Sequence, residues 1–308
     1  MDAYFLGHLG LGDNLYCIGA VRYLTKFYRN VYFLCKDKCE ENVKSFFNDN
    51  KRVICFPIHS SSKDSVYEEG TPVISEIDSI RNVINNKYDE NDIFICGFAF
   101  TPHFQSKITN QAFLQREKIT KTYSLKLDTI DDDRYSFIIN MYKDADLSTG
   151  VMIDYWALPY TENSKKLYES VKDYNIIFIQ SISSNNKVLC VNNVVDKYLY
   201  DENTILLFND YNIYENANIN LKQIKIKRDL AEKFVKNKLI YYIDTIKNAK
   251  EIYMIDSCFT GIVLPLYKKG LLKANPVRLV MRRLIDDYDF WTIFCFFLPN
   301  IEKINLHP

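Results

Sequence analysis

The chain begins with the stretch that decides its fold, Ala3–Tyr28, which reads AYFLGHLGLGDNLYCIGAVRYLTKFY. Its opening residues, Ala3–Leu6, are apolar and typical of a short strand. A turn of small residues follows over Gly7–Gly12, and from Cys17 onward the apolar residues recur with the period of a helix. A strand, a glycine turn and a helix form the opening unit of a doubly wound α/β domain.

Two polar residues, Asp13 and Asn14, stand between this turn and the helix. Either side chain can cap the helix. A carboxylate at this place can equally act as a general base toward a hydroxyl, and the local sequence leaves both roles open for Asp13. The glycines, among them Gly10 and Gly12, allow a ligand to approach the backbone. Because the spacing is not GxGxxG and no acid follows at the ribose position, the sequence disfavours a nicotinamide cofactor.

The composition is that of a globular protein long enough for two ordinary domains. Of the 308 residues, 47% are hydrophobic and 25% are charged, which is typical of a chain that can fill sizeable cores. Lys plus Arg and Asp plus Glu are equal at 39 each, so no overall field recruits nucleic acid or an anionic membrane. The eight cysteines are scattered, which indicates reduced core thiols rather than a zinc site. No secretory signal or membrane-spanning run is recognisable, so we expect a cytoplasmic protein.

Apolar strand-like runs alternate with helical segments twice along the chain, which predicts two parallel sheets. The predicted strands cover residues 3–6, 31–35, 53–58 and 93–98, and then 176–180, 204–208, 251–255 and 277–281. We therefore expect two Rossmann-like doubly wound domains that face a central cleft. The predicted boundary gives an N-terminal domain of residues 1–168 and a C-terminal domain of residues 169–308.

Polar turns follow two strands of the second series, where ligands of such sheets bind. These turns contain Ser181, Ser183, Ser184 and Lys187, and then Asp256, Ser257, Cys258, Phe259 and Thr260. Hydroxyls, amides at a helix start and one cation suit a diphosphate, although Ser and Thr are also ordinary turn and cap residues. In the first domain His8 and His103 are further candidates, for which a ligand contact and a structural role both remain open.

Two segments, taken in order, resemble a known family. GLGDNLYCIGAVRYL at Gly10–Leu24 resembles the GLGD-type opening of heptosyltransferase-like sugar transferases, and EIYMIDSCFTGIVLPL at Glu251–Leu266 resembles their second signature. The likeness is closer to glycosyltransferases of the GT-B fold found in large DNA viruses and some bacteria, which have an "IDSSF"-like segment late in the chain. The resemblance covers both ends of the chain and little of the middle.

The resemblance implies an enzyme that transfers a sugar from a nucleotide-diphosphate sugar to a glycan or another hydroxyl acceptor. Asp13 would activate that hydroxyl, with His8 beside it, and Gly10, Gly12 and His103 would lie on the acceptor side. The polar turns of the second domain would hold the donor, with Asp256 ordering its loop or contacting the sugar.

By the same resemblance the enzyme would invert the anomeric carbon and need neither a metal nor a cofactor. The acidic runs Asp131–Asp133 and Asp144–Asp146 match DxD but follow no clear strand, so they indicate solvated charge rather than a metal site. Two alternatives remain: a nucleotide-sugar 2-epimerase of the same fold, which could use His8 and His103 as acid and base, and a nucleotide- or glycan-binding protein without turnover.

Overall fold

The computed structural model describes residues 1–7, 10–58, 91–96, 142, 145, 147–182, 192–198, 201–209, 225–235, 237–255, 257–275, 277–280 and 302–303. The chain divides into two compact units, Met1–Pro159 with Asp289–Ile293, and Tyr160–Tyr288 with Phe294–Pro308. The sequence-based boundary between residues 168 and 169 falls at the end of a helix, Glu162–Glu169, that belongs by its contacts to the second unit.

The first unit is built on a four-stranded parallel sheet. Its described elements are β1 (Ala3–Gly7), α1 (Leu11–Leu24), β2 (Val31–Lys36), a 3-10 turn (Asp37–Cys39), α2 (Glu40–Ser45), β3 (Val53–Ile58), β4 (Asp92–Cys96) and α3 (Thr149–Asp154). The strand order is β3-β2-β1-β4, and all three strand pairs are parallel. Every residue of β1 is buried, as expected for a central strand that is covered on both faces. The four predicted strands of this unit are confirmed.

The second unit is built on a five-stranded parallel sheet. Its described elements are α4 (Glu162–Glu169), β5 (Asn175–Gln180), α5 (Asn192–Tyr198), β6 (Thr204–Phe208), α6 (Lys225–Glu232), a 3-10 turn (Leu239–Tyr242), α7 (Ile243–Asn248), β7 (Glu251–Ile255), α8 (Thr260–Lys268), β8 (Val277–Val280) and β9 (Glu302–Lys303). The strand order is β6-β5-β7-β8-β9. The four predicted strands are confirmed, and the short β9 was not predicted. None of the helices in the described ranges has the length and apolar character that a membrane crossing requires.

The two sheets reverse their winding at equivalent places. In the first unit the chain runs from β1 outward through β2 to β3 and then returns to β4 on the other side of β1. In the second unit it runs from β5 to β6 and then returns to β7 on the other side of β5. Ligands of open α/β sheets bind outside the carboxyl ends of the strands at such switch points. The residues that directly follow β1, β5 and β7 are therefore the candidates for ligand binding.

Residues 230–248 have a long amphipathic spacing in the sequence, but they do not form one continuous helix. The structure has α6, a 3-10 turn and α7 instead, with Lys238 in an extended conformation (φ −61°, ψ 142°). The hydroxyl of Tyr242 bonds the backbone carbonyl of Phe234 and accepts from the backbone N–H of Asn237 at 3.3 Å. In a continuous helix these backbone groups would pair with other backbone groups of the helix. Here the hydroxyl of Tyr242 pairs with them instead, so the helix can be interrupted without leaving them unsatisfied.

Helix α1 is held in place by contacts with Tyr142, Met152 and Trp156. The hydroxyl of Tyr142 donates to the backbone carbonyl of Tyr16 at 2.6 Å, and the indole N–H of Trp156 donates to that of Leu15 at 3.2 Å. A β-carbon at Gly19 would lie 2.5 Å from the backbone oxygen of Met152, so α1 and α3 touch backbone to backbone there. These contacts hold the first turns of α1 in place.

Candidate functional site

The structure corrects the predicted start of α1. Gly10 is the N-cap, in an extended conformation (φ −66°, ψ 144°), and the helix begins at Leu11. The backbone N–H of Asn14 already donates to the carbonyl of Gly10 at 3.0 Å. Asp13 and Asn14 therefore lie within the helix, and the prediction that one of them is its N-cap is wrong. The reason is that glycine also serves well as an N-cap, because its backbone takes the required conformation without a side chain.

Asp13 lies in the first turn of α1, just beyond the switch point of the first sheet, and is partly exposed. A β-carbon at Gly10 would stand 2.5 Å from its Oδ2 atom, so the carboxylate folds back over Gly10. The helix macrodipole favours a negative side chain in this turn. Gly10 thus makes room for the carboxylate of Asp13. Gly12 is the second residue of the helix, and its place on the acceptor side stays a prediction.

At the switch point of the second sheet β5 ends at Gln180 and Ser181 follows it. Both are buried polar residues, 6% and 0% exposed. The Gln180 Nε2 atom donates to the carbonyl of Ile182 at 2.6 Å. Within the described part of the chain, Gln180 Oε1 and Ser181 Oγ have no hydrogen-bond partner, and the same holds for Oδ1 of Asn209, directly after β6. Sequence reasoning found Ser181 and missed both amides. The available signal was an amide that closes an otherwise apolar strand.

The turn between β7 and α8 is held together by its own hydroxyl and amide groups. Ser257 Oγ accepts from the backbone N–H of Phe259 at 3.3 Å, and the hydroxyl of Thr260 donates to the carbonyl of Ser257. The amides of Thr260 and Gly261 donate to the carbonyls of Ser257 and Cys258 at 3.0 and 3.1 Å. The amides from Phe259 to Gly261, which the sequence suggested as donors for a phosphate, therefore already donate inside the turn.

Phe259 anchors this turn to the core. Its ring is 2% exposed and lies 5.4 Å from the ring of Phe178 and 5.2 Å from that of Tyr242, centroid to centroid. Thr260 is fully buried, whereas Ser257 and Cys258 are half-buried. Of the four, Ser257 and Cys258 thus have surface that a ligand can contact, and Phe259 and Thr260 shape the turn.

Several predicted site residues fall outside the described residues: His8, His103, Ser183, Ser184, Lys187 and Asp256. Their roles stay predictions, as does the absence of a metal. The described ranges contain no group of three or more His, Cys, Asp or Glu side chains that could hold a metal ion.

A charged cluster at the opposite end of β7 belongs to the framework of the second unit. Glu251, the first residue of β7, accepts from Tyr253 at 2.6 Å and Lys197 at 3.0 Å, and also from Tyr198. Burial alone would raise the pKa of Glu251, but these hydrogen bonds outweigh it and hold the pKa below its ordinary value. Burial and the bond to Glu251 raise the pKa of Tyr253 to about 12. Because ligand-binding residues follow the carboxyl ends of strands, we do not assign this cluster to the site.

Comparison with known proteins shows a likeness of fold. No protein-family model matches the chain, and no curated protein matches it in sequence. Among solved structures, ADP-heptose LPS heptosyltransferase II of E. coli aligns with a TM-score of 0.56 and 13% identity, over 100% of this chain and 91% of its own. A glycosyl transferase of family 9 from Veillonella parvula aligns with a TM-score of 0.50 and 13% identity, over 91% of this chain and 79% of its own.

A UDP-GlcNAc 2-epimerase from Neisseria meningitidis also aligns, over 98% of this chain and 95% of its own, with 10% identity and a TM-score of 0.44. At these identities the likeness concerns the fold alone. The predicted fold class, α/β with two Rossmann-like domains of the GT-B type, is confirmed.

Proposed function

We propose that this protein is a glycosyltransferase that moves a sugar from a nucleotide-diphosphate sugar to a hydroxyl acceptor such as a glycan. The observation that carries the proposal is the pair Gln180 and Ser181 at the switch point of the second sheet. Each has a buried oxygen that no described residue satisfies, and buried polar atoms of folded proteins nearly always have a partner. A ligand bound at the switch point would supply a hydrogen-bond partner for each of these two oxygens.

Two further observations support the same assignment. Two segments resemble the signatures of heptosyltransferase-like enzymes. Gly10–Leu24 begins just after the carboxyl end of β1, and Glu251–Leu266 contains the carboxyl end of β7. The solved structures of matching fold include a heptosyltransferase and a family 9 glycosyl transferase. The similarity to proteins of large DNA viruses and the cytoplasmic location stay predictions from the sequence.

In the proposed reaction Asp13 takes the proton of the acceptor hydroxyl. The acceptor oxygen then bonds to the anomeric carbon while the bond from that carbon to the diphosphate oxygen breaks. The electron pair of the broken bond leaves with the diphosphate. A single displacement of this kind inverts the anomeric carbon.

The leaving diphosphate needs hydrogen-bond donors rather than a metal in this scheme. We assign it to the polar turns of the second unit, with Ser183, Ser184 and Lys187 in the first turn and Ser257 and Cys258 in the second. Asp256 orders the second turn or contacts the sugar. His8 and His103 are proposed to assist on the acceptor side.

The proposal is tested in two steps. A thermal-shift screen of UDP-, GDP-, ADP-, CMP- and dTDP-sugars identifies the donor, since a ligand that binds only the folded state raises its apparent stability. The selected donor is then incubated with and without a panel of saccharide acceptors, and the products are analysed by mass spectrometry. The proposal predicts a nucleoside diphosphate together with an acceptor enlarged by one sugar.

Two outcomes would contradict it. An epimer of the donor that forms without any acceptor would identify a nucleotide-sugar 2-epimerase. Binding of a nucleotide sugar with no turnover, and with Asp13→Asn identical to the wild type in every respect, would identify a non-catalytic binding protein.

A further inference from the structure

Three buried oxygens lie on neighbouring strand ends at the carboxyl edge of the second sheet: Gln180 Oε1, Ser181 Oγ and Asn209 Oδ1. The structure gives them no partner among the residues it describes. One such atom could be accommodated by a single bridging water, but three on two adjacent strands indicate a place where a larger polar ligand supplies the partners.

The orientation of the Gln180 amide is fixed. Its Nε2 atom lies 2.6 Å from the carbonyl oxygen of Ile182. A carbonyl oxygen can only accept, so the amide nitrogen must face it, and Oε1 is the atom that remains. An amide oxygen can itself only accept a hydrogen bond. The ligand group that meets the Oε1 atom of Gln180 must therefore carry a hydrogen.

The register of the sheet brings Asn209 next to Gln180. Strands β5 and β6 pair through Ile179 and Phe208, so Gln180 and Asn209 occupy the next positions and share one face. Neighbouring strands lie about 4.8 Å apart. One sugar ring or one nucleobase is therefore large enough to contact both residues.

We infer that Gln180, Ser181 and Asn209 bind the hydroxyl or amino groups of the nucleotide sugar and not its diphosphate. Phosphate oxygens are acceptors, so they would face the acceptor oxygens of Gln180 and Asn209 without a hydrogen between them. The hydroxyl of Ser181 can donate or accept, and we place it with these two residues because it directly follows Gln180. The inference rests on the proposed function. It adds that this edge of the sheet binds hydroxyl or amino groups of the nucleotide sugar. It also assigns Ser181 to these groups, whereas the sequence resemblance assigns Ser181 to the diphosphate site.

The test uses Ser181→Ala in the full chain and compares two readouts. In the ligand-free protein this change removes a buried hydroxyl that has no partner within the described ranges, so Tm stays the same or rises. The Kd of the nucleoside diphosphate that stabilises the wild type most, measured by calorimetry, rises about tenfold. The Kd of inorganic pyrophosphate does not change. Gln180→Met serves as the second variant, with the same expected pattern of Kd values.

Thr245→Val is the matched control. Thr245 lies in α7, is fully buried, and its Oγ1 also has no partner within the described ranges. Removing this hydroxyl leaves Tm equal or higher, as for Ser181→Ala. It leaves every Kd unchanged because Thr245 belongs to the helix that leads into the amino end of β7 and does not follow a strand of the sheet.

The outcomes separate this inference from the proposed function. A wild type that binds the nucleoside diphosphate and the nucleotide sugar, with both Kd values unchanged in Ser181→Ala and in Gln180→Met, would overturn the inference alone. An equal loss of pyrophosphate affinity would also overturn it and return Ser181 to the diphosphate site. No binding of any nucleoside diphosphate or nucleotide sugar by the wild type would overturn both. A tenfold loss seen with the nucleotide sugar but not with the nucleoside diphosphate supports the inference and locates the groups on the transferred sugar.

Discussion

Gly10 and Asp13 are packed against each other at the start of α1, so that a β-carbon at residue 10 would lie 2.5 Å from the Oδ2 atom of Asp13. No side-chain carbon can occupy that position unless the carboxylate moves. Because Gly10 has no side chain, the carboxylate of Asp13, the proposed catalytic base, can occupy this position.

Gly10→Ala should lower kcat while the KM for the donor stays the same. The new methyl group displaces the carboxylate of Asp13, and a misplacement of about 1 Å can cost about 100-fold in rate. Donor binding is unaffected because the proposed donor residues lie in the second unit. Steady-state kinetics with varied donor concentration measures the two parameters separately.

Gly270→Ala is the control for this change. Gly270 has a positive φ of 66° and no other group within 4 Å of the added carbon, so alanine costs about 1 kcal/mol of stability through the backbone. Its activity should equal that of the wild type. A Gly10→Ala enzyme that is as active as Gly270→Ala would show that the carboxylate position does not matter.

Gly19→Ala should destabilise the first unit by about 1–3 kcal/mol. Its β-carbon would meet the backbone oxygens of Met152 and Val151 at 2.5 and 2.6 Å, and backbone atoms cannot turn away as a flexible side chain can. Urea unfolding followed by circular dichroism measures the loss. A free energy of unfolding equal to that of the wild type would mean that α1 and α3 are not in backbone contact.

Glu251→Gln should weaken the protein at pH 7 and have less effect in acid. The pKa of Glu251 is depressed in the folded state, so its contribution to stability is present above the unfolded pKa and is lost as the pH falls through the folded pKa. Breaking the bonds to this buried carboxylate costs about 1–3 kcal/mol. Urea unfolding of both proteins at pH 7 and pH 3 should give a difference that shrinks in acid, and a difference independent of pH would refute the assignment.

Asp92→Asn should behave in the opposite way. Burial raises the pKa of Asp92, although a hydrogen bond from Tyr28 partly offsets this. A carboxyl whose folded pKa is raised contributes stability below its unfolded pKa and loses it as the pH rises through the folded pKa. The asparagine variant should therefore be more stable than the wild type at pH 7 and gain nothing near pH 3. A thermal melt at each pH compares them.

The sheets were predictable from the sequence because their strands are apolar on both faces, as β1 and β5 illustrate. The start of α1 was not predictable from the sequence. Its N-cap, Gly10, has no side chain to mark it, and the nearby Asp13 and Asn14 are residue types more typical of an N-cap. The site was found only in part. Ser181 stands in a recognisable polar turn, whereas the sequence marks Gln180 only as an amide that closes an apolar strand. The bond of this amide to the carbonyl of Ile182, which orients it, has no signature in the sequence.

The most direct test of the proposed mechanism is sugar transfer by Asp13→Asn with the donor that the binding screen selects. The variant should keep the thermal shift that the donor produces in the wild type, because the donor residues are unchanged. Its rate of acceptor glycosylation should fall by about 10²–10⁴-fold, the usual contribution of a general base. Transfer at the wild-type rate, with donor binding intact, would contradict the assignment of Asp13 as the catalytic base.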